Sequence, residues 1–152
     1  MQSSSWTLLS LSSMRYLLDT NIYLFYITDS ARLSRDVRTI LEDPDNTFYL
    51  SVESVRELIV LFRKKRYLFK FWKSAEEMVD DIETNRFIKI LPLKKEHLET
   101  YARLEINEEQ DHNDPSDHII IAHAITERIP LISSDTRFPF YAKQGLDLIY
   151  NC

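Results

Sequence analysis

The stretch DPSDHIIIAHAITERIPLISSD, running from Asp114 to Asp135, decides how the chain folds. Asp114 is placed to cap a helix, and Pro115 suits its first turn, where a missing N–H costs nothing. The helix reads on to about Arg128 and carries Ile119, Ile120, Ile121, Ala122, Ala124 and Ile125. Apolar residues on so many sides predict a helix that is largely buried. Leu131 to Ser134 follows as a short buried strand that ends at Asp135. A buried helix feeding a short apolar strand belongs to a parallel sheet covered on both faces.

The rest of the chain repeats this alternation. Tyr16–Leu18 is an apolar strand ending in Asp19, and 21–27 reads as helical. Ser34 is a plausible cap for a helix over Arg35–Glu42, and Asp43-Pro44-Asp45-Asn46 is a turn. Thr47–Ser51 is rich in aromatic and β-branched residues and reads as a strand. After it, Val55, Leu58, Ile59 and Phe62 follow helical spacing. Ser74 followed by Glu77 is a capping box for a helix to about Asn85. Phe87–Leu91 is a third strand stopped by Pro92, and Lys94–Glu105 is an amphipathic helix with Leu98, Tyr101 and Leu104 inward. Ile106–Asn113 reads as a polar surface loop, and Asp147–Tyr150 as a fifth strand. The fold class is therefore α/β with a parallel sheet. One domain over 14–152 is expected, preceded by a Ser-rich disordered extension at 1–13 that makes a poor signal peptide.

Composition narrows the function. The chain has 152 residues, 44% of them hydrophobic, enough for a real core. A net charge of -5 does not advertise nucleic-acid binding, although an acidic site changes local sign once a cation is present. The single cysteine, Cys152, permits no intrachain disulfide and suits a reducing, cytoplasmic setting. No apolar run approaches the ~20 residues needed to cross a bilayer. The single glycine, Gly145, excludes both a P-loop and a GxGxxG dinucleotide turn, which need several glycines for close backbone approach.

Four acids stand out against this background. Asp19 and Asp135 follow strands, Asp117 opens the buried helix, and Glu57 lies in Ser51-Val52-Glu53-Ser54-Val55-Arg56-Glu57. In an open parallel sheet, strand C-termini and the following helix starts share one edge, where ligands bind. Carboxylates gathered there repel one another, and a hard divalent cation is the usual remedy. Each acid also has a plainer reading. Asp19 and Asp135 could be caps, Asp117 could serve the helix dipole, and Glu57 could pair on a solvated face. Glu53, four residues earlier on the same helical face, is the alternative to Glu57. A signalling receiver domain also gathers acids at a sheet edge, but it needs a lysine near the last strands and none fits.

Leu17-Leu18-Asp19-Thr20-Asn21, Ser51-x-x-Ser54-x-x-Glu57, Asp114-Pro115-Ser116-Asp117 with its Ile-Ile-Ile-Ala-His-Ala tail, and Leu131-Ile-Ser-Ser-Asp135 together resemble the PIN domain. More narrowly, they resemble the toxin ribonucleases of VapBC toxin–antitoxin pairs. The resemblance covers about residues 14–150. It implies a three-layer α/β/α sandwich around about five parallel strands, and metal-dependent endoribonuclease activity on structured RNAs such as tRNA. It also implies products with 5′-phosphate and 3′-hydroxyl ends, an antitoxin that occupies the groove, and a homodimer. Asp19, Glu57, Asp117 and Asp135 match the catalytic metal-binding acids, for one or two Mg²⁺ or Mn²⁺ ions. Thr20 or Asn21, and Ser134, would support them by hydrogen bonding, and Asp114 matches an additional acid. Three positions depart from the family pattern: Ser116 where a large apolar residue is common, His118 where Arg is common, and Arg56 where Trp is common. A PIN-like module that binds RNA or protein without cutting is the alternative.

Two further features bear on RNA. Arg63, Lys64, Lys65 and Arg66 begin a basic run interleaved with Tyr67, Phe69, Phe71 and Trp72, which could neutralise phosphates and stack bases or simply be a solvated helix end. His118 is a candidate RNA contact. His123 reads as a core histidine and His97 as a surface one. No histidine is needed as a base if a metal activates the water. Tyr23, Phe25 and Tyr26 are expected in core or dimer packing.

Overall fold

Short apolar strands that run almost directly into helices organise this protein, seen here in a computed structural model that describes residues 13–152. The strands are β1 (Arg15–Leu18), β2 (Thr47–Ser51), β3 (Lys89–Leu91), β4 (Leu131–Ser133) and β5 (Leu148–Tyr150). The helices are α1 (Thr20–Thr28), α2 (Arg35–Glu42), α3 (Val52–Lys64), α4 (Ala75–Thr84), α5 (Lys95–Arg103) and α6 (Pro115–Glu127). All neighbouring strands are parallel, in the order β3-β2-β1-β4-β5. The chain lays β2 and β3 on one side of β1, then returns to place β4 and β5 on the other. The strand order therefore reverses between β1 and β4, the position at which open α/β sheets form their crevice.

Alternation along the strands divides the interior into two halves. Tyr16, Leu18, Leu50 and Ile132 face one cluster, which α1, α3 and α4 complete with Ile22, Leu58, Phe62, Met78 and Ile82. Leu17 and Leu131 face the other, which Ile120, Ile121 and Ala124 of α6 fill together with Phe138, Tyr141 and Leu146. The apolar α6 is buried as its composition requires. Each fully buried Ile or Leu there is worth roughly 1.5–3 kcal/mol relative to exposure. No helix among the described residues is long and apolar enough to cross a membrane.

The capping chemistry follows the sequence with one variation. Ser34, Ser51 and Ser74 accept main-chain N–H bonds from Val37, Glu53 and Glu77, and Asp114 accepts one from Ser116. The expected box at Ser74 is half formed, because the Glu77 carboxylate accepts from the N–H of Lys73 instead of Ser74. The sole glycine ends the 3-10 turn Phe138–Gln144 at φ 104°, a left-handed conformation that suits Gly.

Three expectations need correction, and one falls outside the described residues. The third strand begins at Lys89, because Phe87 adopts φ 57° and is 79% exposed, which breaks the extended run. On α5, His97 is buried and Leu98 is 45% exposed, the reverse of the amphipathic reading. Burial suits His97 because its ring is satisfied at both ends: Nδ1 accepts from the Lys94 N–H, and Nε2 faces Glu127 at 2.7 Å. The segment Ile106–Asn113 is polar but not wholly at the surface, since Asn107 and His112 are buried within it. The extension expected at 1–13 lies outside the described residues, apart from Ser13.

The turn after α3 offers a test of the packing. Phe69 is fully buried, with its ring centroid 5.7 Å from Phe62 and 5.8 Å from Trp72. Phe69→Ala should lower stability by about 3–5 kcal/mol in urea denaturation, as other buried aromatic truncations do. A loss under about 1 kcal/mol would mean this turn is not part of the core.

Candidate active site

Asp19 directly follows β1 and is only 7% exposed. Its N–H continues the sheet by donating to the Ile132 carbonyl at 3.0 Å. One carboxylate oxygen accepts from the Thr20 N–H at 2.9 Å, so the residue does cap α1. The other accepts from the Ser133 hydroxyl at 2.8 Å. That hydroxyl also accepts the Asp135 N–H at 3.1 Å, so one serine at the end of β4 joins two acids.

The other acids arrive from three different elements. Glu57 lies on α3 and accepts the Thr20 hydroxyl at 2.7 Å, while Thr20 in turn accepts from the buried Ser54 hydroxyl at 2.8 Å. Glu53, one turn earlier, points elsewhere: it pairs with Arg56 and accepts the Ser116 hydroxyl. Asp117 lies in the first turn of α6, and one of its oxygens stands 2.9 Å from His112 Nε2. Asp135 is gripped by Arg137, whose main-chain N–H and Nε donate to Oδ1 at 2.9 and 3.0 Å and whose Nη2 donates to Oδ2 at 2.7 Å. The same guanidinium lies 3.6 Å from Asp117.

These side chains border one cleft of about 420 Å³. Asp19, Glu57, Asp114, Asp117 and Asp135 supply its acidic part, Leu24, Val60 and Leu61 an apolar wall, and Asn21, Lys64 and Arg137 polar edges. The cleft opens at the C-terminal edge of the sheet, beside the β1/β4 reversal.

Packing acids this closely shows in their proton affinities. Burial, with the charges of Asp117 and Glu57 adding to it, pushes the Asp19 carboxyl up to about 7 despite the hydrogen bonds from Ser133 and Thr20. Asp117 is also pushed to about 7, by burial and by the charges of Asp114, Asp135 and Glu57. Burial raises Glu57 as well, against the Thr20 bond. Asp135 is the exception. Burial acts to raise it, but the bonds and charge of Arg137 outweigh this and hold it below its ordinary value. Three of the four acids thus favour added positive charge, and an all-oxygen donor set fits a hard divalent cation. One nitrogen donor is also near, since atoms of His112, Asp117 and Asp135 lie within 4.8 Å of one another.

Several sequence-based candidates sit differently from expectation. Ser134 does not reach the acids; its hydroxyl accepts from Asn151 at 2.8 Å, and Ser133 makes the bond to Asp19 instead. Side-chain alternation explains the swap, because Ser133 faces inward at the strand end while Ser134 has turned away. Asn21 lines the cleft, and Asp114 both lines it and caps α6. His118 is buried, with Nε2 2.9 Å from the His112 carbonyl, so it is not placed to touch RNA. Arg66 is tied to the carbonyls of Phe69 and Trp72 and lies 4.3 Å over the Phe62 ring, a structural role. Arg63, Lys64 and Lys65 are exposed, and of these Lys64 reaches the cleft.

Besides Ser133, sequence reasoning missed two residues. Arg137 follows Asp135 by two positions, the spacing of a side-chain-to-backbone turn, and that was the available signal. His112 gave none beyond its nearness to Asp114. Its Nδ1 lies 3.0 Å from the Tyr141 hydroxyl, which also accepts the Asn107 N–H at 3.1 Å, and its Nε2 lies 2.9 Å from Asp117, so a ring with its proton on Nε2 satisfies all three groups. Burial and the Arg137 charge, which lower its proton affinity, agree with a neutral ring.

The family model described as PIN domain matches residues 16–144. Among solved structures, VapBC2 from Rickettsia felis bound to a promoter DNA fragment aligns with a TM-score of 0.65 at 19% identity, over 91% of this chain and 100% of that one. FitAcB from Neisseria gonorrhoeae aligns at 0.60 and 22% identity, covering 90% and 96%. VapBC-5 from Mycobacterium tuberculosis, described as a toxin–antitoxin system, aligns at 0.59 and 20% identity, covering 90% and 98%. These likenesses establish a shared fold. A comparison with curated proteins finds no match.

The raised carboxyls make stability depend on pH. Asp19 and Asp117 bind protons more tightly folded than unfolded, so their ionisation costs stability as pH rises from about 4 through about 7. His112, His118 and His123 have lowered values and act in the opposite sense, but only up to their ordinary 6.5. Between pH 6.5 and 8 the carboxyls act alone. In EDTA the protein should lose about 1 kcal/mol over that interval, measured by urea midpoints, and Asp19→Asn should lose less. Stability that is flat or rising there would contradict the electrostatic picture.

Proposed function

This chain belongs to the PIN domain family, and from that premise we propose that it is a divalent-metal-dependent endoribonuclease acting as the toxin of a VapBC-type toxin–antitoxin pair. The observation that carries the reading is the convergence of Asp19, Glu57, Asp117 and Asp135, from four separate elements, on one cleft. A shared fold does not by itself confer an activity, so the weight rests on this site.

The residues that would hold Mg²⁺ or Mn²⁺, as one or two ions, are drawn from those four acids. When bound, the ion lowers the pKa of a water molecule and neutralises charge growing on the phosphate oxygens. The protein's part is to fix the ligands. Thr20 orients Glu57, Ser133 orients Asp19, and His112 orients Asp117, each by one hydrogen bond. Such outer contacts set the direction of a ligand and keep it from swinging towards a neighbour of like charge. In hydrolysis the water oxygen bonds to phosphorus and the P–O3′ bond breaks, which leaves a 5′-phosphate and a 3′-hydroxyl.

The cleft edges suit a polyanion. Lys64 faces the acids, and Arg63 and Lys65 continue the positive charge along the helix end. Tyr67 and Phe71 are exposed just beyond, available to stack on unpaired bases. A folded RNA with an accessible single-stranded loop, such as a tRNA, is the substrate class this arrangement fits. The VapBC toxin–antitoxin systems among the structural neighbours support an antitoxin partner, and the apolar wall of Leu24, Val60 and Leu61 gives it a surface to cover. Tyr26 is exposed and remains available to a homodimer contact, whereas Tyr23 is spent in the core.

Incubating the purified protein with total tRNA in Mg²⁺ or Mn²⁺ tests the proposal. Discrete cuts with 5′-phosphate ends are expected, lost in EDTA and reduced by at least ~10²-fold in a folded Asp19→Asn variant. Cutting that persists in that variant would show the wrong site. No cutting and no metal binding by calorimetry would favour a binding-only module.

A further inference from the structure

The four acids of the cleft are not equivalent in what already holds them. Asp19 and Glu57 receive only neutral donors: a main-chain N–H and hydroxyls. Asp135 differs in having both of its oxygens taken by a full positive charge, Arg137, in a bidentate pair. Three bonds from one residue to one carboxylate, including the main-chain N–H of Arg137, fix the guanidinium to the turn that follows β4. The guanidinium also lies 3.6 Å from Asp117, where ligand atoms of His112, Asp117 and Asp135 come within 4.8 Å of one another.

Resting on the metal-nuclease reading, we propose that Arg137 is the built-in second cation of this site, so that a single divalent ion binds at Asp19, Glu57 and Asp117. Asp135 then serves as the anchor of Arg137. A two-metal site uses one ion for the attacking water and one for the leaving oxygen. Here the guanidinium takes the second position. It is always charged, it offers planar donors that match phosphate oxygens, and it needs no loading from solution. With 34% of its side chain exposed at the cleft edge, it is open to a phosphate while still held by Asp135. His112 reinforces the division, because its Nε2 and the Arg137 guanidinium approach the same oxygen of Asp117.

This assignment makes the metal count the decisive observable. MnCl₂ is titrated calorimetrically into the protein and into Arg137→Gln, and the manganese spin-resonance spectrum of each is recorded. The expected result is one Mn²⁺ with an isolated-ion spectrum in the protein, and two Mn²⁺ with a spin-coupled spectrum in Arg137→Gln, where Asp135 is released. On RNA, Arg137→Gln should lower kcat by about 10²-fold in Mg²⁺, with Arg137→Lys partly restoring it. Two ions in the unsubstituted protein, or the same count in both proteins, would overturn the role of Arg137 and leave the nuclease reading standing. No ion in either would defeat the nuclease reading itself. Because the count in the unsubstituted protein needs no variant, the inference stays testable even if Arg137→Gln fails to fold.

Discussion

Negative charges crowded at one edge of a sheet repel strongly, and the rest of this structure can be understood from how they are held. Each carboxylate comes from a different element, so no local segment can relieve the strain by moving alone. The chain answers with a donor for each: Thr20 for Glu57, Ser133 for Asp19, His112 for Asp117 and Arg137 for Asp135. Behind those donors stand further bonds, from Ser54 to Thr20 and from Tyr141 to His112. The two apolar clusters on either side of the sheet provide the rigidity that keeps these chains of bonds in register. The burial that makes the core stable is also what raises the proton affinity of Asp19 and Asp117.

The positions that depart from the family pattern turn out to meet. Arg56 and Ser116 both contact Glu53, with Arg56 Nη2 2.8 Å from the Ser116 hydroxyl. This occupies Glu53 and turns it away from Glu57. His118 packs its ring 4.9 Å from that of His112 and engages the His112 carbonyl, so it helps position the residue that holds Asp117. Substitutions that look unrelated along the chain are two local networks in space, each one contact away from an acid of the cleft.

The fold was largely legible because its signals are local. Ser34, Ser74 and Asp114 announce helix starts, and the unbroken isoleucines of α6 announce burial. The four acids were legible because strand ends and helix starts share an edge in this topology. What escaped notice depends on orientation or on a distant partner. His97 reads as polar, yet it is buried because Glu127 and the Lys94 N–H satisfy it. Ser133 and Ser134 are adjacent and chemically identical, and only the strand's final turn decides which faces Asp19. His112 gained its place from Asn107 and Tyr141, contacts that no spacing rule contains. Phe87 continues the apolar run of the third strand in sequence, but its backbone turns left-handed just before β3 begins.

At both strand-to-helix joints that serve the cleft, almost nothing intervenes. Asp19 alone separates β1 from α1, and Ser51 ends β2 where Val52 begins α3. Such joints have no slack, and the only glycine of the chain lies far from them in sequence, after the last 3-10 turn. Motion of α1 or α3 relative to its strand would have to be absorbed by Asp19 or Ser51 alone. At Asp19 and Glu57, adaptation during binding therefore falls to whatever enters the cleft. An RNA substrate, on the reading proposed above, would have to bend and unstack to fit, and would bear the entropic cost of ordering. Discrimination between sequences would then follow how readily each deforms, a selection by pliability as much as by contact.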